Sequence, residues 1–509
     1  MRKFTPMFWI AISMGAIFVG WGALFPNNLL EVMTGIKTLF LDKFGWFYQF
    51  SASFFIIAAI IIAFSRYGKI RLGKDEDRPE YSTPTWFAML FSAGMGIGLL
   101  FYGVSEPASH FSTPPFGDGG TEESARVSLR YTYLHWGFHA WAIYAVVALA
   151  LAYYKFRKGL PGLMSATLYP LIGEKTKGPI GYAVDIIAVF ATLFGVAISL
   201  GIGAQQINSG FNYLFGWPVN FTTQLIIMGF TTILFIYSAA SGLSKGIKYL
   251  SNTNMFLAVL LFFAFLFLGP TQFVLELFST TFGSYVQNLP SMGLRFSPFN
   301  QEDNQWVKDW TIFYWAWWIS WTPFVGTFIA RVSKGRTVRE FILAVIIAPT
   351  LVCSLWFGVF GGTGLYFELI QGADVSGQSL ETALFYVYKL MPFGTVLTII
   401  SLLLITTFFV TSADSATYVL GMQTSNGSLN PPTLVKVSWG LIMAAIAAIL
   451  MGTGGVEGLQ AATIISALPL GIILIFMTAA LFKSFQTELS SAKKEKENVE
   501  ETASHKKAQ

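Results

Sequence analysis

Apolar stretches of membrane-spanning length recur along the whole sequence and are separated by polar connections. A helix needs about 20 mostly apolar residues to cross the hydrocarbon layer of a bilayer. The pattern therefore predicts an all-α membrane protein with twelve transmembrane helices. The predicted spans are 7–25, 46–65, 84–104, 132–154, 182–206, 220–240, 250–269, 309–330, 341–366, 392–418, 433–452 and 460–482.

The composition supports the same class of protein, because 54% of the 509 residues are hydrophobic and only 12% are charged. A soluble domain has about 25% charged residues. The first span directly follows Met1, Arg2 and Lys3, and we expect it to be retained as a helix, not cleaved as a signal peptide. Cys353 is the only cysteine in the sequence, so no disulfide forms within the chain. No nucleophile–base pair or metal cluster stands out, and we do not expect an enzyme.

Lysine and arginine are unevenly divided between the two sides of the predicted membrane protein. With the N-terminus inside, the outer segments contain only Lys37, Lys43, Arg126, Arg130, Arg295, Lys308 and Lys389. Short cytoplasmic loops of membrane proteins carry an excess of Lys and Arg. The distribution therefore predicts that both termini lie in the cytoplasm.

Tryptophans are concentrated between residues 310 and 321 of the eighth span. The helical period places Trp310, Tyr314, Trp317, Trp318 and Trp321 on one arc of roughly 100°. Indole faces attract cations, and a quaternary ammonium, which has no N–H, is bound only by cation–π contacts and shape. An aromatic belt at the lipid surface is the alternative. The cluster rises roughly 18 Å along the helix axis, which favours a pocket.

The fourth span adds a second set of aromatic residues. Trp136, Trp141 and Tyr144 spread over roughly 140° of that helix. Their expected depth in the membrane is similar to that of Trp317 and Trp318. The two helices together therefore predict an aromatic box.

Three alternating glycines, Gly94, Gly96 and Gly98, interrupt the third span. Each weakens a helix by about 1 kcal/mol relative to alanine. They permit unwinding, which exposes carbonyls to an ion or lets a ligand approach the backbone. Close helix packing through small residues is the alternative interpretation.

A second interruption is predicted in the eighth span, from Ser320 to Pro323, because proline removes a backbone donor. Interrupted spans at corresponding places in oppositely directed halves are typical of inverted-repeat transporters. This predicts a five-plus-five inverted repeat of spans 3–7 and 8–12, with two extra N-terminal helices.

Hydroxyl side chains are dense near the end of the tenth span, where Thr411 and Ser412 lie close to Asp414. Hydroxyls and free carbonyls are the hard oxygen ligands that a small cation such as sodium prefers. Serine and threonine in membrane helices also commonly bond back to their own helix. Both interpretations are open at this point.

The chain is expected to have five parts. Residues 1–83 form the two N-terminal helices and a cytoplasmic loop, and 84–269 form the first repeat. Residues 270–308 form an interfacial connecting helix and outer loop, 309–482 form the second repeat, and 483–509 form a charged cytoplasmic tail. The lysines of the tail either contact anionic lipid or only keep the segment solvated. Residues 105–123 are expected to be an irregular outer loop.

The sequence resembles the betaine/choline/carnitine transporter family over about residues 10–480. The motif Trp-Thr-x-Phe-Tyr-Trp-Ala-Trp-Trp-x-Ser-Trp stands at Trp310 to Trp321, and the strings 94–98 and 411–415 also match. The resemblance implies the five-plus-five fold, assembled as a homotrimer in the bacterial cell membrane. It further implies an aromatic box of Trp136, Trp141, Tyr144 and Trp318, with Trp317 and Trp321 lining the path or contacting substrate in other states.

The same resemblance implies the residues that bind the coupling ions. One sodium would be bound by the carbonyls of Ser92, Met95 and Phe408 and by the hydroxyls of Thr411 and Ser412. A second site would use Thr192 and the region of Phe324. Val196 stands where the family has a second threonine, which leaves the number of sodium ions open.

Three further positions bear on the coupling mode within this family. Gly98 matches the sodium-coupled betaine carriers, whereas proton-coupled choline carriers tend to have aspartate there. Sodium-independent carnitine exchangers place arginine where this chain has Met255, and methionine near Val325. A fixed guanidinium would replace the ion, and none is present at this position.

The sequence therefore predicts a secondary active transporter that imports glycine betaine, or a closely related trimethylammonium osmolyte, by sodium symport for osmoprotection. Its substrate would lie in the aromatic box beside the backbone of Gly94, Met95, Gly96 and Gly98. Sodium-independent carnitine/betaine exchange and proton-coupled choline uptake are the alternatives within transport. A channel or osmosensing receptor is the alternative from another class. Sodium and membrane lipid are the other expected partners, with no cofactor and no nucleic acid.

Overall fold

The computed structural model describes residues 4–94, 96–241 and 244–507, and the regular structure of these residues is helical. The helices are α1 (Pro6–Leu24), α2 (Pro26–Phe64), α3 (Thr83–Gly94), α4 (Ile97–Ser112), α5 (Glu122–Trp136), α6 (Phe138–Ala152), α7 (Tyr169–Ile172), α8 (Pro179–Phe215), α9 (Phe221–Ser241), α10 (Ser244–Leu268), α11 (Thr271–Gly293), α12 (Gln301–Trp306), α13 (Phe313–Arg331), α14 (Val338–Leu369), α15 (Ala383–Leu390), α16 (Gly394–Gln423) and α17 (Thr433–Lys507).

Nine helical stretches within these described ranges are long and apolar enough to cross a membrane. The longest, 433–491, contains a break at Gly455, whose φ of 56° lies outside the helical region. The second helix is also longer than its predicted span, because α2 begins at Pro26, not near residue 46. An all-helical membrane architecture is therefore confirmed.

The third span is interrupted at its glycines, as predicted. Helix α3 ends at Gly94 and α4 begins at Ile97, while Gly96 between them is extended (φ −151°, ψ −168°). Met95 lies outside the described residues. The break leaves backbone amides and carbonyls without helical partners at this level of the protein.

The predicted interruption at Ser320–Pro323 is wrong. Helix α13 continues through Pro323. The Thr322 hydroxyl donates to the Ile319 carbonyl at 2.7 Å, and this is the carbonyl one turn before the proline that has lost its backbone donor. The irregular part of the eighth span lies earlier, in a π-helical turn at Val307–Ile312.

An unpredicted break divides the fourth span at Gly137, between α5 and α6. The Tyr285 hydroxyl replaces the lost helical partner by accepting from the amide of Phe138 at 3.0 Å. A Cβ at residue 137 would lie 2.6 Å from that hydroxyl oxygen, so a glycine is required for this approach. The break immediately follows Trp136.

The expected irregular loop at 105–123 is wrong for its first part, because α4 continues to Ser112. Glu106 and His110 lie inside this helix and are buried. Polar composition alone suggested a surface loop, but these side chains are paired with one another inside the protein.

The connecting helix α11 lies within the predicted connection 270–308 and packs against α5 and α14. The tail is helical through Lys507. Near its start, Glu488 accepts a hydrogen bond from Lys158 at 2.7 Å.

Candidate aromatic binding site

Helix α13 lies at the centre of the protein, packed against α6, α8 and α17. Its residues from 313 to 326 are all buried, including Trp317, Trp318 and Trp321. A belt at the lipid surface is therefore excluded for these three rings. Trp310 precedes α13 in the π-helical turn and is only partly buried.

The predicted box residues lie together. The ring of Trp318 is 4.9 Å from that of Trp136 and 6.1 Å from that of Tyr144, which in turn is 5.6 Å from Trp141. Trp317 stacks on Trp318 at 4.9 Å with an interplanar angle of 10°, and Trp321 meets Trp317 edge-on at 6.0 Å. These six residues, Trp136, Trp141, Tyr144, Trp317, Trp318 and Trp321, form the aromatic cluster.

The glycine break lies directly against the aromatic cluster. A Cβ on Gly98 would lie 2.8 Å from Cη2 of Trp136 and 3.1 Å from Cη2 of Trp317. A Cβ on Gly96 would meet Cη2 of Trp321 at 3.7 Å, an ordinary van der Waals contact. The absence of side chains at these glycines therefore lets rings from α5 and α13 reach the extended residue Gly96 and the first turn of α4.

Three indole N–H groups of the aromatic cluster have fixed acceptors. Trp136 donates to Oε2 of Glu106 at 2.8 Å, and Trp318 donates to the carbonyl of His135 at 2.7 Å. Trp321 donates to the Gly195 carbonyl on α8. By contrast, Nε1 of Trp317 and the hydroxyl of Tyr144 are buried without a hydrogen-bond partner in the described structure.

Glu106 is a central residue that sequence reasoning missed. It is fully buried and receives four contacts. These come from Trp136 Nε1 (2.8 Å), Tyr314 Oη (2.5 Å), His135 Nδ1 (2.7 Å) and His110 Nε2 (3.3 Å). The i, i+4 spacing of Glu106 and His110 was a usable signal, since it places both on one helix face.

Glu106, His110 and His135 also have the residue types of a metal site, with ligand atoms within 4.8 Å of one another. However, two ligands of a tetrahedral metal with bonds of about 2.0–2.1 Å are roughly 3.3 Å apart. The Glu106–His135 contact is only 2.7 Å. This distance indicates a direct hydrogen bond, so the arrangement is a hydrogen-bonded polar network and not a metal cage.

Four of the five residues predicted for the first ion site lie on α3 and α16, and the fifth, Met95, lies outside the described residues. Ser92 is in the last part of α3, and Phe408, Thr411 and Ser412 are on α16. The Thr411 hydroxyl donates to the carbonyl of Thr407 at 2.9 Å and accepts from Nδ2 of Asn254 at 3.1 Å. Back-bonding to the helix therefore occurs, as the alternative interpretation predicted.

The residues of the second predicted ion site flank the contact between α8 and α13. Thr192 lies almost one turn before Gly195 on α8, and its hydroxyl donates to the Ala188 carbonyl at 2.8 Å. Phe324 follows Trp321 on α13, with ring centroids 5.8 Å apart. Gly195 permits the close approach, because a Cβ there would lie 2.8 Å from Cδ1 of Trp321.

A cavity of about 400 Å³ begins at Phe324 and lies between α13 and α16. We call it the α13–α16 cavity. Its charged lining residues are Lys155, Arg331, Lys436 and Asp414. It therefore provides a polar space next to the end of the aromatic cluster marked by Trp321.

Comparison with known proteins gives a family match over nearly the whole chain. The family described as BCCT, the betaine/carnitine/choline family transporters, matches residues 6–490. A solved structure of a sialic acid symporter described as Na⁺-coupled aligns with this chain at 14% identity and a TM-score of 0.48, covering 89% of this chain and 86% of that one. That likeness is too distant to support a conclusion about this chain.

Full-length relatives are also similar to this chain. The glycine betaine transporter OpuD of Bacillus subtilis is 50% identical over 495 residues, which cover 97% of each chain. A probable glycine betaine transporter of Desulfitobacterium hafniense is 42% identical, covering 96% of this chain and 98% of that one. The ectoine/hydroxyectoine transporter of Virgibacillus pantothenticus is 42% identical, covering 98% and 99%. These relatives are transporters and not enzymes.

The contact at Gly98 yields a test that needs no assay of activity. Gly98→Ala should lower stability by about 1–3 kcal/mol, because the added methyl group overpacks the space beside two indole rings. Thermal unfolding and the near-ultraviolet circular dichroism of the purified protein measure the effect. Gly96→Ala is the matched control, since its methyl group meets only an ordinary contact at 3.7 Å. Equal unfolding midpoints for the two variants would contradict the packing described above.

Proposed function

Because this chain belongs to the betaine/carnitine/choline transporter family and is a multi-pass membrane protein, we propose that it imports glycine betaine or a close trimethylammonium osmolyte by sodium symport. The names of two relatives support betaine as the substrate. The relative named as an ectoine/hydroxyectoine transporter makes ectoine the second candidate. The proposed role is osmoprotection, through uptake across the bacterial plasma membrane.

The observation that carries this proposal is the convergence of buried rings from α5 and α13 on the glycine break, with the rings of α6 packed beside Trp318. A trimethylammonium group cannot donate a hydrogen bond, so an apolar, electron-rich enclosure is the environment that recognises it. The acceptors of Trp136, Trp318 and Trp321 fix their indole N–H groups. The ring faces are the remaining recognition elements of these side chains.

The carboxylate of betaine requires donors, and the same region offers them. Nε1 of Trp317 and the Tyr144 hydroxyl are buried donors without partners in the described structure. Backbone amides at the start of α4 are a further source, because a helix N-terminus has free N–H groups. We assign the carboxylate of betaine to the side of the aromatic cluster that faces Gly96 and Gly98, where Trp317 lies.

Substrate entry requires movement of the rings. A methylated nitrogen held between two facing rings, about 4–4.5 Å from each centroid and so within the cation–π range, needs centroids roughly 8–9 Å apart. The observed separation between Trp136 and Trp318 is 4.9 Å. Binding therefore opens the cluster by rotating at least one ring. The α13–α16 cavity is the proposed exit path towards the cytoplasm.

Sodium coupling is proposed to act through the contact of the glycine break with α16. The ligands would be Ser92, Met95, Phe408, Thr411 and Ser412. An ion bound there orders the break, and ordering the break raises the affinity for substrate. By linkage, substrate must raise the affinity for sodium by the same factor. One sodium falling through 100 mV supplies about 2.3 kcal/mol, besides its concentration gradient. The Thr192–Phe324 site remains a candidate for a second ion, and Val196 leaves that stoichiometry open.

The proposed topology retains twelve spans. To the nine helical stretches, it adds α3–α4 as an interrupted span and α13 as a further span, and it counts α17 as two spans divided at Gly455. The repeats would cover 84–269 and 309–482, with both termini in the cytoplasm. Residues 270–308 would lie at the outer surface as the interfacial connection. A homotrimer, and contact of the tail 483–509 with anionic lipid, complete the proposal.

The aromatic cluster can be tested by removing one ring. Trp318→Ala should abolish betaine uptake in proteoliposomes, because it removes the ring that contacts both Trp136 and Tyr144. Trp318→Phe should bind betaine about tenfold more weakly, because phenyl is a poorer cation–π partner than indole. Trp9→Ala is the control, since that ring is 56% exposed. Near-normal uptake by folded Trp318→Ala protein would refute the assignment.

Coupling can be tested by removing sodium. Betaine uptake into proteoliposomes should require an inward sodium gradient and should fall to background when potassium replaces sodium on both sides. Sodium should also tighten equilibrium betaine binding, and betaine should tighten sodium binding by an equal factor. Uptake that is driven equally well by betaine loaded inside, without sodium, would instead establish exchange. Uptake that follows a proton gradient would establish proton coupling.

A further inference from the structure

Glu106 presents a buried negative charge that the proposed transport mechanism does not yet use. Its side chain is fully buried, and four possible donors surround its two oxygens. A buried carboxylate is costly unless hydrogen bonds or an opposite charge compensate it. The described structure provides it with hydrogen bonds from indole, phenol and imidazole groups.

The indole and phenol contacts have a fixed direction, and the direction of the His135 contact follows from the tautomer assigned to its ring. Trp136 donates from its N–H, and the Tyr314 hydroxyl donates to the same oxygen, Oε2. On the other side, Nε2 of His135 lies 3.0 Å from the Thr311 hydroxyl, which can donate to it. His135 then carries its proton on Nδ1 and donates to Oε1 of Glu106. In this assignment Glu106 is ionised and the histidine is neutral.

The carboxylate of Glu106 is connected to the aromatic cluster through two of its hydrogen-bond donors, Trp136 and Tyr314. Trp136, its direct donor, contacts both Trp318 and Trp317. Tyr314, its second donor, stacks on Trp318 at 5.7 Å with an interplanar angle of 28°. Because a charge-assisted N–H···O⁻ bond shifts electron density into the indole, the face of Trp136 becomes more negative.

We propose that Glu106 is a specificity-determining positioning residue, which makes the aromatic cluster prefer a quaternary ammonium over an uncharged group of the same shape. This inference rests on the proposed function. The carboxylate holds Trp136 in place and adds negative potential to the site. The cation of the bound substrate is then its compensating charge. A purely structural role would leave the preference for charge unchanged.

The experiment compares two ligands that differ in one charge. Glycine betaine and its carbon isostere 3,3-dimethylbutanoate share the carboxylate and the three methyl groups, but only betaine carries a cation. Competition against labelled betaine on the purified protein gives both affinities. Glu106→Gln should weaken betaine binding about tenfold and change isostere binding by less than about twofold, from the size of a desolvated cation–π contribution.

The matched control is Ser105→Ala, the neighbouring buried residue, whose hydroxyl bonds only to the Phe101 carbonyl of its own helix. It should leave the affinity ratio unchanged. If Glu106→Gln weakens the binding of both ligands equally, the inference about Glu106 is wrong, while the proposed transport function still stands. Failure of the unmodified protein to bind betaine would instead refute the proposed function.

A second variant keeps the test decisive if Glu106→Gln does not fold or if the isostere binds too weakly to measure. Trp136→Phe retains the carboxylate and an aromatic ring but removes the indole N–H that joins them. Adding Glu106→Gln to Trp136→Phe should cost less betaine affinity than Glu106→Gln costs alone, because coupled residues are not additive. Full additivity, or an unchanged preference for charge in Trp136→Phe, would contradict the inference.

Discussion

The rings of Trp136 and Trp317 lie against Gly98 so closely that a single methyl group would collide with both of them. The centre of the protein depends on this contact. It requires a residue without a side chain on α4, an extended residue at Gly96 before it, and tryptophans on two other helices. The same glycines that weaken the third span therefore also create the space into which the rings fit.

Polar groups outside the aromatic cluster fix the orientation of three of its rings, those of Trp136, Trp318 and Trp321. Glu106, the carbonyl of His135 and the carbonyl of Gly195 each accept an indole N–H. Two of these acceptors are backbone carbonyls, one of Gly195 itself and one of His135, two residues before Gly137. The positions of glycine and tryptophan are thus coupled in the fourth span by an interrupted helix and in the fifth span by the close approach of α8 and α13.

Sequence patterns predicted the main features of this centre because helical periodicity and glycine spacing are local properties. They identified the buried rings of the eighth span and the break at 94–97. They failed where a single hydrogen bond decides the outcome, whether its partner is adjacent or distant in the sequence. Pro323 does not break α13, because the Thr322 hydroxyl compensates the Ile319 carbonyl. The break at Gly137 depends on Tyr285, which lies far away in the sequence. Glu106 was assigned to a loop because its polar partners on α5 and α13 were not apparent from α4 alone.

The most direct test of the central claim is a structure of the protein determined by electron cryomicroscopy with bound glycine betaine and sodium. The account predicts the quaternary nitrogen within about 6 Å of the ring centroids of Trp136 and Trp318, with the carboxylate next to the glycine break. Betaine bound only in the α13–α16 cavity, with the aromatic cluster closed as described above, would contradict it.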